Sequence, residues 1–331
     1  MPKENGTLKK IAITMGEPGG IGPEVIVKAL YNAEISGYCS SLVIGSHAVI
    51  EAVIKLLGLS IKLKSINDPD ESSPSPGAIE IIDVGDFNNF EKGKPTPEGG
   101  KASVSYIKKA VEFALNKKVD GIVTAPISKE ALKMGGFNWP GHTEMLAEFT
   151  VTENFAMMLM GGLLRVILVS THTSIKKVPD LITKERVLET IRLAKKACDM
   201  LGILDPKIAV AGLNPHAGEA GIFGDEEITE ISPAVEEACK EGITAEGPFP
   251  PDTIFHRAYM GEIDIIVCMY HDQGLIPLKM IAFEEGVNVT VGLPIIRTSP
   301  DHGTAYDIAW KGRANPSSMI EAIKLASRLK I

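Results

Sequence analysis

Five of the seven histidines stand in glycine- and proline-punctuated stretches. They are His142 in Pro-Gly-His-Thr-Glu, His172 in Ser-Thr-His-Thr, His216 in Leu-Asn-Pro-His-Ala-Gly-Glu, His271 in Met-Tyr-His-Asp-Gln-Gly, and His302 in Pro-Asp-His-Gly-Thr. His172, His216 and His271 each follow, within three residues, an apolar run that reads as a strand. Open α/β sheets place ligands outside the carboxyl ends of their strands. Three neutral imidazoles meeting there suit a divalent ion of the Zn, Co, Ni or Fe kind, with positions left for substrate oxygens. Taken singly, each is as readily a loop histidine bonded to backbone, because spacing this wide has no local geometric signature.

Lys279, Asn288 and Arg297 follow His271 in a Gly/Pro-rich segment. Two cations and an amide beside a strand-end site can clamp a phosphate or carboxylate, with Arg binding bidentately. The alternative is ordinary solvated surface charge. Thr14-Met-Gly-Glu-Pro-Gly-Gly-Ile-Gly-Pro-Glu24 is a glycine-rich turn, but Gly20-Ile-Gly22 runs into Pro23. The dinucleotide fingerprint G-x-G-x-x-G needs a third glycine there. The turn is therefore no Rossmann site, and either shapes a cleft or touches ligand.

The elements that must carry these residues alternate between strand and helix. Ile11–Met15, Ser41–Gly45, Ala78–Val84, Gly121–Ala125, Arg165–Ser170, Lys207–Leu213, Asp264–Tyr270 and Val287–Gly292 read as buried strands. Val187, Ile191, Ala194, Cys198 and Leu201 form one helical stripe, and Ile228, Ile231, Val235 and Ala238 a second. Pro23 sits where the first residue of the first helix would be, and Asn315-Pro316 opens a last one as N-cap and N1. Such alternation predicts an α/β protein with a largely parallel sheet. Asp68–Pro76 and Lys92–Gly100 read as surface loops.

Composition narrows the partners. The net charge of −8 disfavours nucleic acid and anionic membrane surfaces. The most apolar stretch, Phe155 to Ser170, is broken by Gly161, Gly162 and Arg165 and is too short to span a bilayer. The start is polar, without a signal-peptide core. Cys39, Cys198, Cys239 and Cys268 form no C-x-x-C pair and read as small buried residues in a reducing, cytoplasmic setting.

Long motifs then carry a family resemblance. Thr14–Glu24, Gly141-His-Thr-Glu144, Gly212-Leu-Asn-Pro-His-Ala-Gly-Glu219, Pro251-Asp-Thr253, Met269-Tyr-His-Asp-Gln-Gly274 and the run from Gly286 to Thr304 resemble the 4-hydroxythreonine-4-phosphate dehydrogenase family. Glu17 and Gly19 stand where that pattern usually has Asp and Ala. The resemblance implies a two-lobed α/β fold like that of isopropylmalate and isocitrate dehydrogenases, not a Rossmann fold, with the active site in the interdomain cleft. It implies lobes at 1–133 plus 296–331 (cofactor side) and 134–295 (metal ligands and dimerisation). It implies a homodimer with active sites at the subunit interface.

Carried over by motif, His172, His216 and His271 are the ligands of one divalent metal: Zn, Co, Mg, Mn or Ni. His142, Thr143, Lys279, Asn288 and Arg297 bind substrate. Lys279 is the candidate proton donor for the enolate left by loss of CO₂, and Asp252 lies in a family motif near the site. The reaction implied is oxidation of a 4-phosphorylated 3-hydroxy acid with decarboxylation. A second resemblance, of Asp301–Pro316 to the adenosine-binding stretch of isopropylmalate dehydrogenases, implies His302, Gly303, Thr304, Asp307 and Asn315 as contacts to NAD or NADP. Phe155–Met160, Lys279–Gly286 and Tyr306–Trp310 look closer to a sister group that oxidises 4-phospho-D-threonate or 4-phospho-D-erythronate. A metal-dependent phosphatase or hydrolase is the remote alternative.

Overall fold

A computed structural model of the chain describes residues 8–85 and 90–331. Along the chain run β1 (Lys10–Thr14), α1 (Gly22–Tyr31), β2 (Ser40–Gly45), α2 (His47–Leu57), β3 (Lys62–Ser65), β4 (Ala78–Asp83), α3 (Pro97–Leu115), β5 (Gly121–Thr124), α4 (Lys129–Met134) and α5 (His142–Phe149). There follow β6 (Ala156–Gly161), β7 (Leu164–Leu168), α6 (Lys184–Met200), β8 (Ile208–Ala211), α7 (Ser232–Lys240), β9 (Ala245–Phe249), α8 (Pro251–Tyr259), β10 (Ile265–Cys268), α9 (His271–Ala282) and β11 (Val287–Val291). The last elements are β12 (Arg297–Pro300) and α10 (Ser317–Arg328).

These elements form two compact units. One takes the chain up to residue 153 with 293–329 and 331, the other residues 154–292 with 330. The sequence boundary at 133/134 thus lies upstream of the observed one, and α5 packs against α3 in the first unit. The first unit's strands run in the order β3-β4-β2-β1-β5-β12, all parallel. Helices cover such a sheet on both faces, so β1, β2 and β5 read as nearly unbroken apolar runs.

In the second unit the order is β11-β6-β7-β10-β8-β9. Here β6 runs antiparallel to both β11 and β7, whereas β7, β10, β8 and β9 are parallel. The two antiparallel pairings arise because β6 returns directly into β7 through Gly162 (φ 57°) and Leu163, which no parallel pair could do. Leu159, Leu164, Val166, Leu168, Ile266 and Leu278 make the core of this unit.

Several local expectations shift. The Lys92–Gly100 loop ends early, because Pro97 opens α3 and Thr96 Oγ1 accepts the Gly99 N–H at 3.0 Å. Ile228 is 54% exposed although it falls on the predicted stripe. A π-helical turn at Glu227–Ile231 adds a residue there and rotates it out, while Ile231, Val235 and Ala238 stay buried. Pro23 is the second residue of α1, not its first. Pro316, not Asn315, occupies the N-cap of α10, and Asn315 Oδ1 still accepts the Ser317 N–H at 2.9 Å. Cys39, Cys198 and Cys268 are buried and free, but Cys239 is exposed.

Candidate active site

β7, β10 and β8 are adjacent and parallel, so the segments bearing His172, His271 and His216 leave the sheet at one end. The His172 and His271 rings lie 5.9 Å apart between centroids and line one cavity of about 360 Å³ with Thr171, Thr173 and Tyr270. His271 begins α9, and its Nδ1 sits 2.7 Å from Asp272 Oδ1. A carboxylate beside one ring nitrogen is the outer partner typical of ligating histidines. The donor set at this pair therefore suits a borderline divalent ion. His216 is not gathered with them: among the described residues no three His, Cys, Asp or Glu side chains come close enough to hold one ion.

The strand exits are laced together by side chains the sequence reading passed over. Ser170 Oγ donates to the Met269 carbonyl at 2.7 Å, tying the exit of β7 to that of β10. Gln273, buried, accepts the Met269 N–H at 2.7 Å and donates to the Gly212 carbonyl at 2.7 Å, tying β10 to β8. Gln273 and Asp272 lie inside a quoted motif, and their adjacency to His271 was the available signal. His216 itself opens a left-handed run, with φ of 53, 52, 76, 42 and 55° from His216 to Ala220. Only Gly218 in that run escapes the Cβ clash, which costs about 1–2 kcal/mol per ordinary residue.

Lys279 sits two turns beyond His271 on α9, about 12 Å along the axis at the usual rise per residue. The two share the lining of a second cavity of about 420 Å³, where the Lys279 ammonium lies 5.6 Å from the Phe283 ring. Asn288 is half-buried in β11, opposite Leu159 of β6. Asp252 is exposed in the first turn of α8, a helix that packs against the turn at 215–221.

The first unit holds the remaining candidate residues. Arg297 is 2% exposed, and its Nε and Nη2 donate to Thr124 Oγ1 at 3.2 and 2.7 Å. Burial pushes its pKa down to about 9, against the pull of Glu144, so it stays charged at neutral pH. His142 opens α5 next to Thr143, and its ring Nε2 is buried. Burial first, then the Arg297 charge, holds His142 well below the usual histidine range. It is a neutral imidazole beside a buried cation at pH 7. Sequence reasoning had no signal for Thr124, a buried strand residue.

Gly303 is exposed with open space where a Cβ would stand, and Asp307 and Asn315 are also exposed. Thr304 packs on Gly20, and its carbonyl accepts the Ile21 N–H at 3.0 Å. His302 Nδ1 lies 3.2 Å from the Gly303 carbonyl. An open glycine flanked by polar side chains and backbone groups suits a nucleotide edge. The glycine-rich turn is buried from Gly16 through Gly22, so it shapes this region from behind.

Glu17 of that turn is fully buried, and burial raises its pKa to about 7. The Tyr306 hydroxyl and the Gly19 and Gly20 N–H groups pull the other way, but none meets the carboxylate in full hydrogen-bond geometry, so burial wins. The fold keeps this proton up to about pH 7, whereas the unfolded chain loses it near 4.5. The contribution is complete below 4.5 and lost as pH rises to 7, on the order of 3 kcal/mol. Glu17→Gln is expected to flatten this slope: its Tm should match the parent near pH 5 and exceed it at pH 8, read by thermal melts across that range.

Parallel strands that deliver histidines in one unit, and a buried arginine held beside a neutral histidine in the other, define an α/β protein with its polar candidate residues set on a largely parallel sheet. The family model described as "Pyridoxal phosphate biosynthetic protein PdxA" matches residues 37–326. A 4-hydroxythreonine-4-phosphate dehydrogenase of Desulforapulum autotrophicum is 48% identical over 96% of this chain and 94% of its own. A D-threonate 4-phosphate dehydrogenase of Pectobacterium atrosepticum is 47% identical over 97% and 99%. The crystal structure of a 4-hydroxythreonine-4-phosphate dehydrogenase from Klebsiella pneumoniae superposes with a TM-score of 0.89 at 44% identity, over 96% and 98% of the two chains. The chain belongs to the PdxA family. A β-decarboxylating dehydrogenase from Thermococcus kodakarensis shares the fold at a TM-score of 0.50 and 15% identity, over 95% and 81%.

Proposed function

We propose that this chain is an NAD- or NADP-dependent dehydrogenase that oxidises a 4-phosphorylated 3-hydroxy acid with decarboxylation, of the 4-hydroxythreonine-4-phosphate type that serves pyridoxal phosphate formation. The observation that carries this is likeness over nearly the whole chain, at 48% identity, to a dehydrogenase of that name. A second reading, oxidation of 4-phospho-D-threonate or 4-phospho-D-erythronate, is favoured by the 47% identity to a D-threonate 4-phosphate dehydrogenase.

His172, His216 and His271 are the metal ligands in this reading, and a bound divalent ion supplies Lewis acidity at the hydroxyl to be oxidised. His302, Gly303, Thr304, Asp307 and Asn315 would hold NAD or NADP, whose nicotinamide would supply the hydride acceptor. Arg297, buried and charged, takes an anionic end of the substrate and Thr143 donates a hydrogen bond to it, while neutral His142, whose one N–H goes to the Ala125 backbone, accepts a hydrogen bond from a substrate hydroxyl at Nε2. Lys279 and Asn288 bind substrate as well, and the Lys279 ammonium is the proton source for the carbon that loses CO₂. Asp252 is a nearby acid, placed on the helix that packs against the His216 turn.

The separation of His216 from the other two histidines supports a homodimer in which a second copy completes the site. So does the apolar face of α9, where Met280 is 83%, Phe283 74% and Ile276 60% exposed beside His271 and Lys279. Among the described residues, no helix is long and apolar enough to cross a membrane. Cytoplasmic placement is part of the same reading, supported by the scattered, free cysteines.

The deciding experiment is a substrate panel scored by NADH or NADPH formation: 4-phospho-L-hydroxythreonine, 4-phospho-D-threonate and 4-phospho-D-erythronate. Turnover of the first names the main reading, and turnover of only the others names the second. Phosphate release without reduced dinucleotide would move the protein to the hydrolases. Asp272→Asn is expected to weaken Co²⁺ binding about tenfold, the usual effect of losing an outer partner of a ligating histidine, at unchanged Tm. Competition with a chromophoric chelator measures it.

A further inference from the structure

The left-handed run that begins at His216 has a holder. Glu227 is 3% exposed and starts the π-helical turn, and its carboxylate sits against the inner side of the run. Oε1 accepts the Asn214 backbone N–H at 2.7 Å, and Oε2 accepts the Asn214 side-chain amide at 3.0 Å. That amide also donates to Glu226 Oε2 at 2.6 Å. Two glycines leave room for the carboxylate: a Cβ on Gly212 would come within 2.9 Å of Oε1, and one on Gly218 within 2.7 Å of Oε2. The run is closed by Ala217 N–H on the Asn214 carbonyl at 3.1 Å and Phe223 N–H on the Gly218 carbonyl at 3.1 Å.

We infer that Glu227 is the positioning residue of His216: its buried carboxylate, clasped by Asn214 between Gly212 and Gly218, fixes the left-handed turn and with it the direction of the imidazole. Ordinary residues leave the left-handed region unless their surroundings over-determine it. A carboxylate is tolerated in such a place only when donors satisfy it. Each requirement meets the other here, so neither the turn nor the buried acid is stable without its counterpart. The geometry also explains a glycine that no turn conformation demands, since Gly212 keeps a negative φ. The inference deepens the proposed function and rests on His216 being a metal ligand.

Glu227→Gln keeps the side-chain volume and turns an amide toward one of the two Asn214 donors. In metal-free protein, amide exchange at residues 216–222 is expected to accelerate about tenfold or more in Glu227→Gln, while α6 keeps its parental protection. The Co²⁺ dissociation constant should rise about ten- to a hundredfold, with a weakened visible d–d spectrum. Glu227→Ala should go further in both; if it does not fold, Glu227→Gln decides alone. Parental exchange and parental Co²⁺ affinity in Glu227→Gln would overturn the inference. His216→Ala separates the two levels. If it binds Co²⁺ like the parent, the ligand assignment fails whatever Glu227 does. If it loses Co²⁺ while Glu227→Gln does not, only the role of Glu227 fails.

Discussion

His271→Ala is expected to lose bound metal and dinucleotide reduction together, with kcat/KM falling by about three orders of magnitude or more. The size follows from the several kcal/mol of charge stabilisation that a metal contributes to such a step. The residue is half-exposed at the start of α9, so little packing is lost with its ring. Stability should therefore change by no more than about 0.5 kcal/mol, as for other surface positions. Its Asp272 partner is itself exposed and regains water. Metal content by mass spectrometry, Tm and NADH formation measured on one preparation test this. A folded, metal-free variant with parental turnover would remove the metal from the scheme.

Arg297→Met should separate function from stability in the opposite sense. Two charge-assisted hydrogen bonds to a substrate anion are worth about 1.5–3 kcal/mol each, so kcat/KM should fall by roughly two to four orders of magnitude. Removing a charge that is only 2% exposed also removes its desolvation cost. Replacing buried ions by apolar side chains of similar volume is often neutral or stabilising. The Tm is therefore expected to hold or rise, although Thr124 loses its partner. Arg297→Lys should recover little activity, because an ammonium cannot reproduce the planar fork. Arg297→Met with a lowered Tm and intact kcat/KM would make Arg297 a structural residue and return substrate binding to other groups.

The gain in one property and loss in the other is what a binding site built into a sheet predicts. In the proposed function, substrate binding is what keeps a guanidinium in a strand where stability alone would place an apolar residue. The same cost of burial applies to Glu17, an acid whose neutral isostere should melt higher at alkaline pH.

The sequence by itself determined the α/β class. Runs such as Ile11–Ala12–Ile13 and Ile265–Ile266–Val267 are buried on both faces of parallel sheet and need no partner to be recognised. It determined the motifs too, because histidines and glycines in fixed local strings survive as text. Four strands escaped it, for physical reasons. β3 is half-exposed with alternating lysines, and β9 carries Pro248, which an edge strand tolerates. β6 merged into one long apolar stretch with β7. β12 reads Arg-Thr-Ser-Pro and is nonetheless wholly buried. Its polar side chains find partners only across the fold, as Arg297 finds Thr124 and Thr298 donates to the Ala322 carbonyl at 2.8 Å.

Only the tertiary structure could decide which polar residues share a site. It placed His172 beside His271 and left His216 apart, on a strained turn whose holder lies 11 residues downstream. Local patterns record which face of an element is apolar, because that depends on near neighbours in the chain. They do not record which strand end meets which, because sheet order joins residues a hundred positions apart.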